Sequence, residues 1–170
     1  MPNIYLVGMM GSGKTVTGKL LALLLHYGFT DLDETIEEKH KRSISEIFEK
    51  EGEFFFRDQE TKILTKVCAV TAKVIATGGG TVLRPENVRK MKASGKVIYL
   101  ETSLEELWER VKEKTDRPLL KSESPKEALR KIYEIRRPIY ERICDLKVNT
   151  DRKTIEKVAN QIFNELESGL

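Results

Sequence analysis

The stretch IYLVGMMGSGKT, Ile4 to Thr15, joins an apolar run to a glycine-rich loop and then to a leucine-rich segment. From Gly8 to Thr15 it satisfies the pattern GxxxxGK[ST], and the strand-to-helix setting gives the match its weight. Glycines at Gly8, Gly11 and Gly13 let the backbone turn its amides toward one centre. There, with the N-terminus of the following helix, they surround anionic oxygens. Lys14 then lies against the β- and γ-phosphates of a nucleotide, and the Thr15 hydroxyl is placed to ligate magnesium. A glycine-rich turn without a ligand is the bland alternative, and the full motif in its proper place argues against it. Which molecule receives the phosphate is not written in the loop, because kinases, GTPase switches, motors and regulatory modules share it.

The chain has 170 residues, the size of one domain, and at this length roughly 70% of the unfolded chain's surface is buried on folding. Hydrophobic residues make up 39% and charged residues 34%, a mixture that excludes a disordered chain. The net charge of +3 comes from 30 basic and 27 acidic side chains interspersed along the sequence, which argues against nucleic-acid or membrane partners. No apolar run reaches the roughly 20 residues that span a bilayer. The start MPNIYLVG lacks a basic n-region, so a cytoplasmic protein is expected. Cys68 and Cys144 have no metal-type or CxxC spacing and read as reduced thiols, and His26 and His40 are isolated.

Without linker, repeat or low-complexity segment, residues 1–170 read as a single domain. Strand-like runs occur at Asn3 to Val7, Phe29 to Asp31, Lys73 to Thr77, Lys96 to Glu101 and Leu146 to Thr150, with helical patterns between them. This α/β alternation predicts a mostly parallel sheet covered on both faces. Ser43 with Glu46 and Ser103 with Glu106 match capping boxes, and Ser124-Pro125 with Glu127 marks a third helix start. Leu104, Leu107, Trp108 and Val111 share the spacing of a buried helical face, so Trp108 reads as core. The leucines from Leu20 to Leu25 read as the sheet-facing side of the first helix. The charged, aperiodic segment from Lys112 to Ser124 suits either a mobile lid over phosphates or an ordinary solvated loop.

Residues on the acceptor side follow. Asp31 and Asp33 in FTDLDETIEE stand two apart at the end of the second strand, where an extended backbone sends their side chains in different directions. One suits magnesium and the other an acceptor hydroxyl; a polar turn with Asp33 as helix cap is the alternative. In GEFFFRDQE, Arg57 and Glu60 are three apart, so on a helix they pair and leave a planar guanidinium fork matched to a carboxylate. Gly78, Gly79 and Gly80 end a buried strand, where missing side chains let a ligand ring approach the backbone. Arg117 falls in the lid segment, and Arg136 lies where Pro138 is expected to interrupt a long helix.

Taken in order, GMMGSGKT, DLDETIEE, SISEIFEKEGEFFFRDQE, ATGGGTVL, DRPLL and RRPIY closely resemble the shikimate kinase family over Asn3 to Asp151. The resemblance implies a P-loop NTPase three-layer sandwich: five parallel strands flanked by helices, a helical substrate-binding region around residues 31–60 and a lid around residues 112–124. It implies magnesium-dependent transfer of the ATP γ-phosphoryl group to the 3-hydroxyl of shikimate, on the way to chorismate and the aromatic amino acids. Lys14, Asp33 and Arg117 would act in catalysis. ATP would meet Gly11, Ser12, Gly13, Lys14, Thr15 and Val16 on the loop, Arg117 from the lid, and Arg110, Arg152 and Lys153 around the adenine. Shikimate would meet Asp33, Arg57, Gly78, Gly79, Gly80 and Arg136, with Glu60 fixing Arg57. Thr15 and Asp31 would belong to the magnesium shell.

The chain departs from the family's habit in three places. Lys41 or Arg42 stands where glycine often precedes the SI pair, Lys153 stands where arginine is frequent, and Thr15 replaces a common serine. None removes an essential group. The remaining alternatives are another kinase of the same fold, such as gluconate or adenylate kinase, and a GTPase-like regulatory module, against which the absence of NKxD and DxxG motifs counts. A monomer is expected, since the sheet needs no partner for completion.

Overall fold

The computed structural model describes residues 1–113 and 118–169. Five strands, β1 (Asn3–Val7), β2 (Gly28–Asp31), β3 (Lys73–Ala76), β4 (Gly95–Glu101) and β5 (Leu146–Asn149), form one parallel sheet in the order β2-β3-β1-β4-β5. The helices are α1 (Lys14–Leu25), α2 (Leu32–His40), α3 (Ile44–Cys68), α4 (Pro85–Ser94), α5 (Leu104–Val111), α6 (Pro125–Ile143) and α7 (Ile155–Glu167). All five expected strands form, with ends shifted by a residue. Thr77, expected in β3, has already turned away, yet its amide and hydroxyl both donate to the Leu6 carbonyl, at 3.1 and 2.9 Å.

Every residue of the central β1 is buried, and the two-residue period of a strand divides it between two cores. Tyr5 and Val7 face a core that also holds Ile47, Leu64, Met91, Leu107 and Leu129, from α3, α4, α5 and α6. Ile4 and Leu6 face the other, built with Leu21 of α1 and Val158 and Ile162 of α7. The α1 crossover from β1 to β2 and the α4 crossover from β3 to β4 therefore lie on opposite faces. The strand order reverses between β1 and β3, and a crevice opens at their carboxyl ends, where open α/β sheets bind ligands.

Helix starts follow the sequence in part. Ser43 and Glu46 form a complete capping box on α3. Ser103 accepts from the Glu106 amide at 3.3 Å, one half of the box expected there. Ser124 makes no side-chain cap; Pro125 alone opens α6. Pro138 does not interrupt the helix, since α6 runs through it to Ile143. The break lies instead in α3, where Gly52 takes φ 84°, ψ 168° inside an otherwise helical run. Lys41 ends α2 with φ 52°, the left-handed conformation that glycine adopts more cheaply. Of the leucines on α1, Leu21 is buried but Leu23 is 70% exposed, so the expected sheet-facing side is narrower than the leucine run. Trp108 packs against the first core as expected. In the lid segment, Pro118–Leu120 form a short 3-10 turn with Leu120 buried; Arg117 lies outside the described residues.

Candidate active site

The loop after β1 has the backbone its glycines allow. Gly11 and Gly13 take φ values of 80° and 90°, and Gly13 is the residue preceding α1. Lys14 folds back on the loop, its Nζ donating to the carbonyls of Gly8 and Met9 at 2.9 and 2.8 Å. Gly13 and the first residues of α1 line the crevice, so the positive end of that helix faces it. Arg110 of α5 braces the opposite wall: its guanidinium donates to the carbonyls of Gly11 at 3.2 Å and Thr150 at 3.3 Å, and pairs with Glu106 at 2.9 Å.

A cleft of about 730 Å³ runs along this loop, a size ordinary for a small-molecule site. Gly11 to Val16 line one side, Arg110, Thr150 and Lys153 another, and Asp31, Asp33 and Gly79 the end nearest β2 and β3. Of the two adenine candidates, Lys153 lines the cleft, while Arg152 is exposed beside it with φ 55°.

Asp31 joins the loop to the acceptor side. One carboxylate oxygen accepts from the amides of Asp33 (2.9 Å) and Glu34 (3.2 Å), capping α2. The other accepts the Thr15 hydroxyl at 2.6 Å. Asp31 is therefore the cap, and Asp33 stands in the first turn of α2 rather than on an extended strand. Thr15 and Asp31 bring two hard oxygen donors together beside the phosphate loop. Among the described residues no cluster of three or more potential ligand side chains exists. Such a sparse oxygen set suits magnesium, which keeps waters and substrate phosphates as its other ligands, and does not suit zinc.

A second hollow, about 60 Å³, shares Met10, Asp33 and Gly79 with the first and is closed by Phe48, Arg57 and Arg136. Arg57 is 8% exposed and fixed on three sides. It pairs with Glu53 at 3.1 Å and with Glu60 at 3.2 Å, and stacks its cation over the Phe56 ring at 5.1 Å. Glu60 is wholly buried and also accepts the Thr81 hydroxyl. Arg136, on α6, is 5% exposed and makes no ion pair among the described residues. Burial lowers its pKa, with the Arg57 cation adding to the effect and Tyr140 opposing it. Arginine stays protonated even so, which leaves a buried cation in want of an anion.

The triple glycine serves these arginines. A Cβ on Gly80 would lie 2.5 Å from Cζ of Arg57, one on Gly79 would lie 3.0 Å from Nη1 of Arg136, and one on Gly78 would lie 2.9 Å from Oδ1 of Asp33. The guanidinium groups of Arg57 and Arg136 thus stand against Gly80 and Gly79, and the carboxylates of Glu60 and Asp33 against Gly78. Sequence reasoning left Glu53, Thr81 and Tyr140 without roles. Glu53 precedes Arg57 by four residues and Tyr140 follows Arg136 by four, and that helical spacing was the available signal. Thr81 had none, because its partner Glu60 is 21 residues away.

Known proteins agree with this geometry. A family model described as shikimate kinase matches residues 10–167. The shikimate kinase of Thermodesulfovibrio yellowstonii is 44% identical, covering 98% of this chain and 96% of that one. The shikimate kinase of Cupriavidus pinatubonensis is 41% identical, with 98% of this chain and 86% of that one covered. Among solved structures, shikimate kinase from Acinetobacter baumannii in complex with shikimate superposes with a TM-score of 0.96 at 40% identity, covering 99% of this chain and 94% of that one. A phosphate loop, a paired-arginine hollow beside it and near-full-length identity above 40% converge, and the chain belongs to the shikimate kinase family.

Proposed function

We propose that this chain transfers the γ-phosphoryl group of ATP to the 3-hydroxyl of shikimate, with the residues of the two hollows in distinct roles. The observation that carries the reading is the juxtaposition of a nearly dry pair of arginines, Arg57 and Arg136, with a phosphate loop, and with Asp33 at the boundary between them. A carboxylate seated on Arg57 and Arg136 places the ring against Gly79 and turns one hydroxyl toward Asp33. The bidentate fork of Arg57 is preset by Glu53 and Glu60, so little freedom is lost on binding.

Phosphoryl transfer asks for positioning and charge compensation more than for covalent help. Lys14, now held by two carbonyls, is within the loop that would cradle the β- and γ-phosphates, with Gly11, Ser12, Gly13, Thr15 and Val16. Thr15 and Asp31 would hold magnesium, which supplies positive charge to the phosphate oxygens. Asp33 orients the acceptor hydroxyl and takes its proton late, as a loose transition state requires. Arg117 would close over the phosphates from the lid. Arg110 and Lys153 would flank the adenine, Lys153 in preference to Arg152 because it lines the cleft. The protein acts as a monomer in the cytoplasm on this reading; among the described residues, no helix is long and apolar enough to cross a membrane.

The test is ADP release measured with ATP and magnesium in the presence of shikimate, gluconate or a nucleoside monophosphate. Release that depends on shikimate alone supports the assignment. Release with gluconate or a monophosphate instead, or tight nucleotide binding with no acceptor turned over, defeats it.

A further inference from the structure

Tyr140 occupies a position that none of the roles above uses. Its ring is wholly buried and stacked on Tyr99, with centroids 5.1 Å apart and planes 27° from parallel. Its hydroxyl donates to the Gly79 carbonyl, stands 4.0 Å from the Met9 sulfur of the phosphate loop, and interacts electrostatically with the Arg136 cation one helical turn away. Burial pushes this hydroxyl up to about 12, with the Arg136 cation opposing the rise. It therefore keeps its proton at neutral pH and donates it to the carbonyl. A Cβ on Gly79 would already lie 3.0 Å from Nη1 of Arg136, so the glycine backbone and the arginine are packed at contact and their spacing is set by whatever joins them.

We propose that Tyr140 is a positioning residue for the acceptor: its single hydroxyl holds the carbonyl of Gly79, the residue against which the Arg136 guanidinium rests, and thereby fixes the anion seat relative to the phosphate loop. Two features separate this role from core packing. Ring stacking and burial are supplied by the aromatic body, which phenylalanine would keep. Tyr99 offers an internal comparison, because its hydroxyl is also buried but has no hydrogen-bond partner among the described residues. The same chemical change, removal of one oxygen, thus breaks a junction at residue 140 and breaks nothing at residue 99. Leaving the buried Gly79 carbonyl without its donor costs enough to change an equilibrium by roughly tenfold.

The inference rests on the shikimate reading for its kinetic test and on Arg136 alone for its spectroscopic one. Tyr140→Phe is expected to raise the KM for shikimate by about tenfold and to lower the melting temperature by roughly 2–12 °C, leaving the KM for ATP near that of the parent. Tyr99→Phe is expected to leave both KM values unchanged. In nitrogen-edited NMR spectra, the guanidinium protons of Arg136, assigned by their loss in Arg136→Lys, should exchange with water faster in Tyr140→Phe and at the parent rate in Tyr99→Phe. A shikimate KM unchanged in Tyr140→Phe overturns the proposal. So does an equal rise in the KM for ATP, an equal effect of Tyr99→Phe, or failure of Tyr140→Phe to fold, which would assign the hydroxyl to the core. If the parent enzyme shows no shikimate-dependent ADP release, the functional reading fails by itself, and the Arg136 protons still decide the role of Tyr140.

Discussion

Replacing Gly80 with alanine tests whether the triple glycine seats arginines or accommodates a substrate ring. Gly80 has φ −99° and ψ 1°, a conformation open to alanine, so backbone strain contributes little. The fault lies in contact: the new methyl would be 2.5 Å from Cζ of Arg57, and relief to the ~3.5 Å of an unstrained carbon contact requires the guanidinium to move by roughly 1 Å. Arg57 is tethered to Glu53 and Glu60, and Glu60 has no access to water, so the shift weakens a buried charged hydrogen bond. Loss of one such bond costs about 1.5–3 kcal/mol, which in a chain of this size lowers the melting temperature by roughly 3–12 °C. The same displacement misaligns the fork that receives the carboxylate, and shikimate affinity should fall by about 10- to 100-fold while ATP affinity holds. Calorimetric titration of each ligand and a thermal melt measure all three quantities. Gly52→Ala is the contrast: nothing lies within 4 Å of its would-be Cβ, but φ is 84°, so stability should drop by about 1–2 kcal/mol with shikimate affinity intact. If Gly80→Ala binds shikimate like the parent, or loses binding with no loss of stability, the arginine-seat argument is wrong.

Asp33→Asn should lower kcat by at least about 100-fold, the scale of a lost general base, with ATP binding retained; near-normal turnover would remove Asp33 from the chemistry. Arg57→Ala should raise the dissociation constant for shikimate by about 100-fold or more, and an unchanged constant by titration would exclude it from the anion seat. Asp31→Ala removes both a helix cap and a proposed metal donor, so it should cost about 0.5–2 kcal/mol of stability in a melt and raise the magnesium concentration needed for half-maximal turnover. A variant that melts lower but keeps the parent magnesium dependence would leave Asp31 with structural work only. Tyr99→Phe should be neutral or stabilising, because its buried hydroxyl has no partner among the described residues to lose; a melting temperature well below the parent would show that the hydroxyl is satisfied in solution.

Legibility in the sequence tracked the range of the interactions. The phosphate loop was readable because strand, glycines, Lys14 and Thr15 are contiguous and each answers a local backbone demand. The Arg57–Glu60 pair was readable because both residues sit on one helix face, and the salt bridge formed as that spacing requires. The local structure of Asp33 was misread: the chain enters α2 at Leu32, so Asp31 takes the capping role. Pro138 misled for a physical reason. Its ring and missing amide normally break a helix, yet α6 continues to Ile143, anchored by the buried Arg136, Tyr140 and Ile143 side chains. Thr81 was invisible because its bond to Glu60 exists only once α3 has been packed beside the loop that follows β3.

The buried charges also bear on which anions the acceptor hollow admits. Arg57 and Arg136 contribute two positive charges, and the wholly buried Glu60 cancels about one of them. Glu53, about half exposed, screens Arg57 only partly, because water shares its charge. Before Asp33 is counted, what remains is somewhat less than one positive charge in a small hollow bounded by Phe48, the Phe56-backed guanidinium and the glycine backbone. A monoanion neutralises that residue of charge; a dianion such as a nucleoside monophosphate overshoots it and brings its second charge toward Asp33 at the hollow's mouth, where like charges repel. A single ring carboxylate therefore matches the hollow in charge as well as in fork geometry. Charge alone leaves gluconate admissible, and the discrimination against it must come from the flat approach to Gly79 that Arg136 guards. On the proposed reading, Gly79 and Gly80, by letting two cations lie against the backbone, would set both the sign and the amount of charge that the acceptor carries.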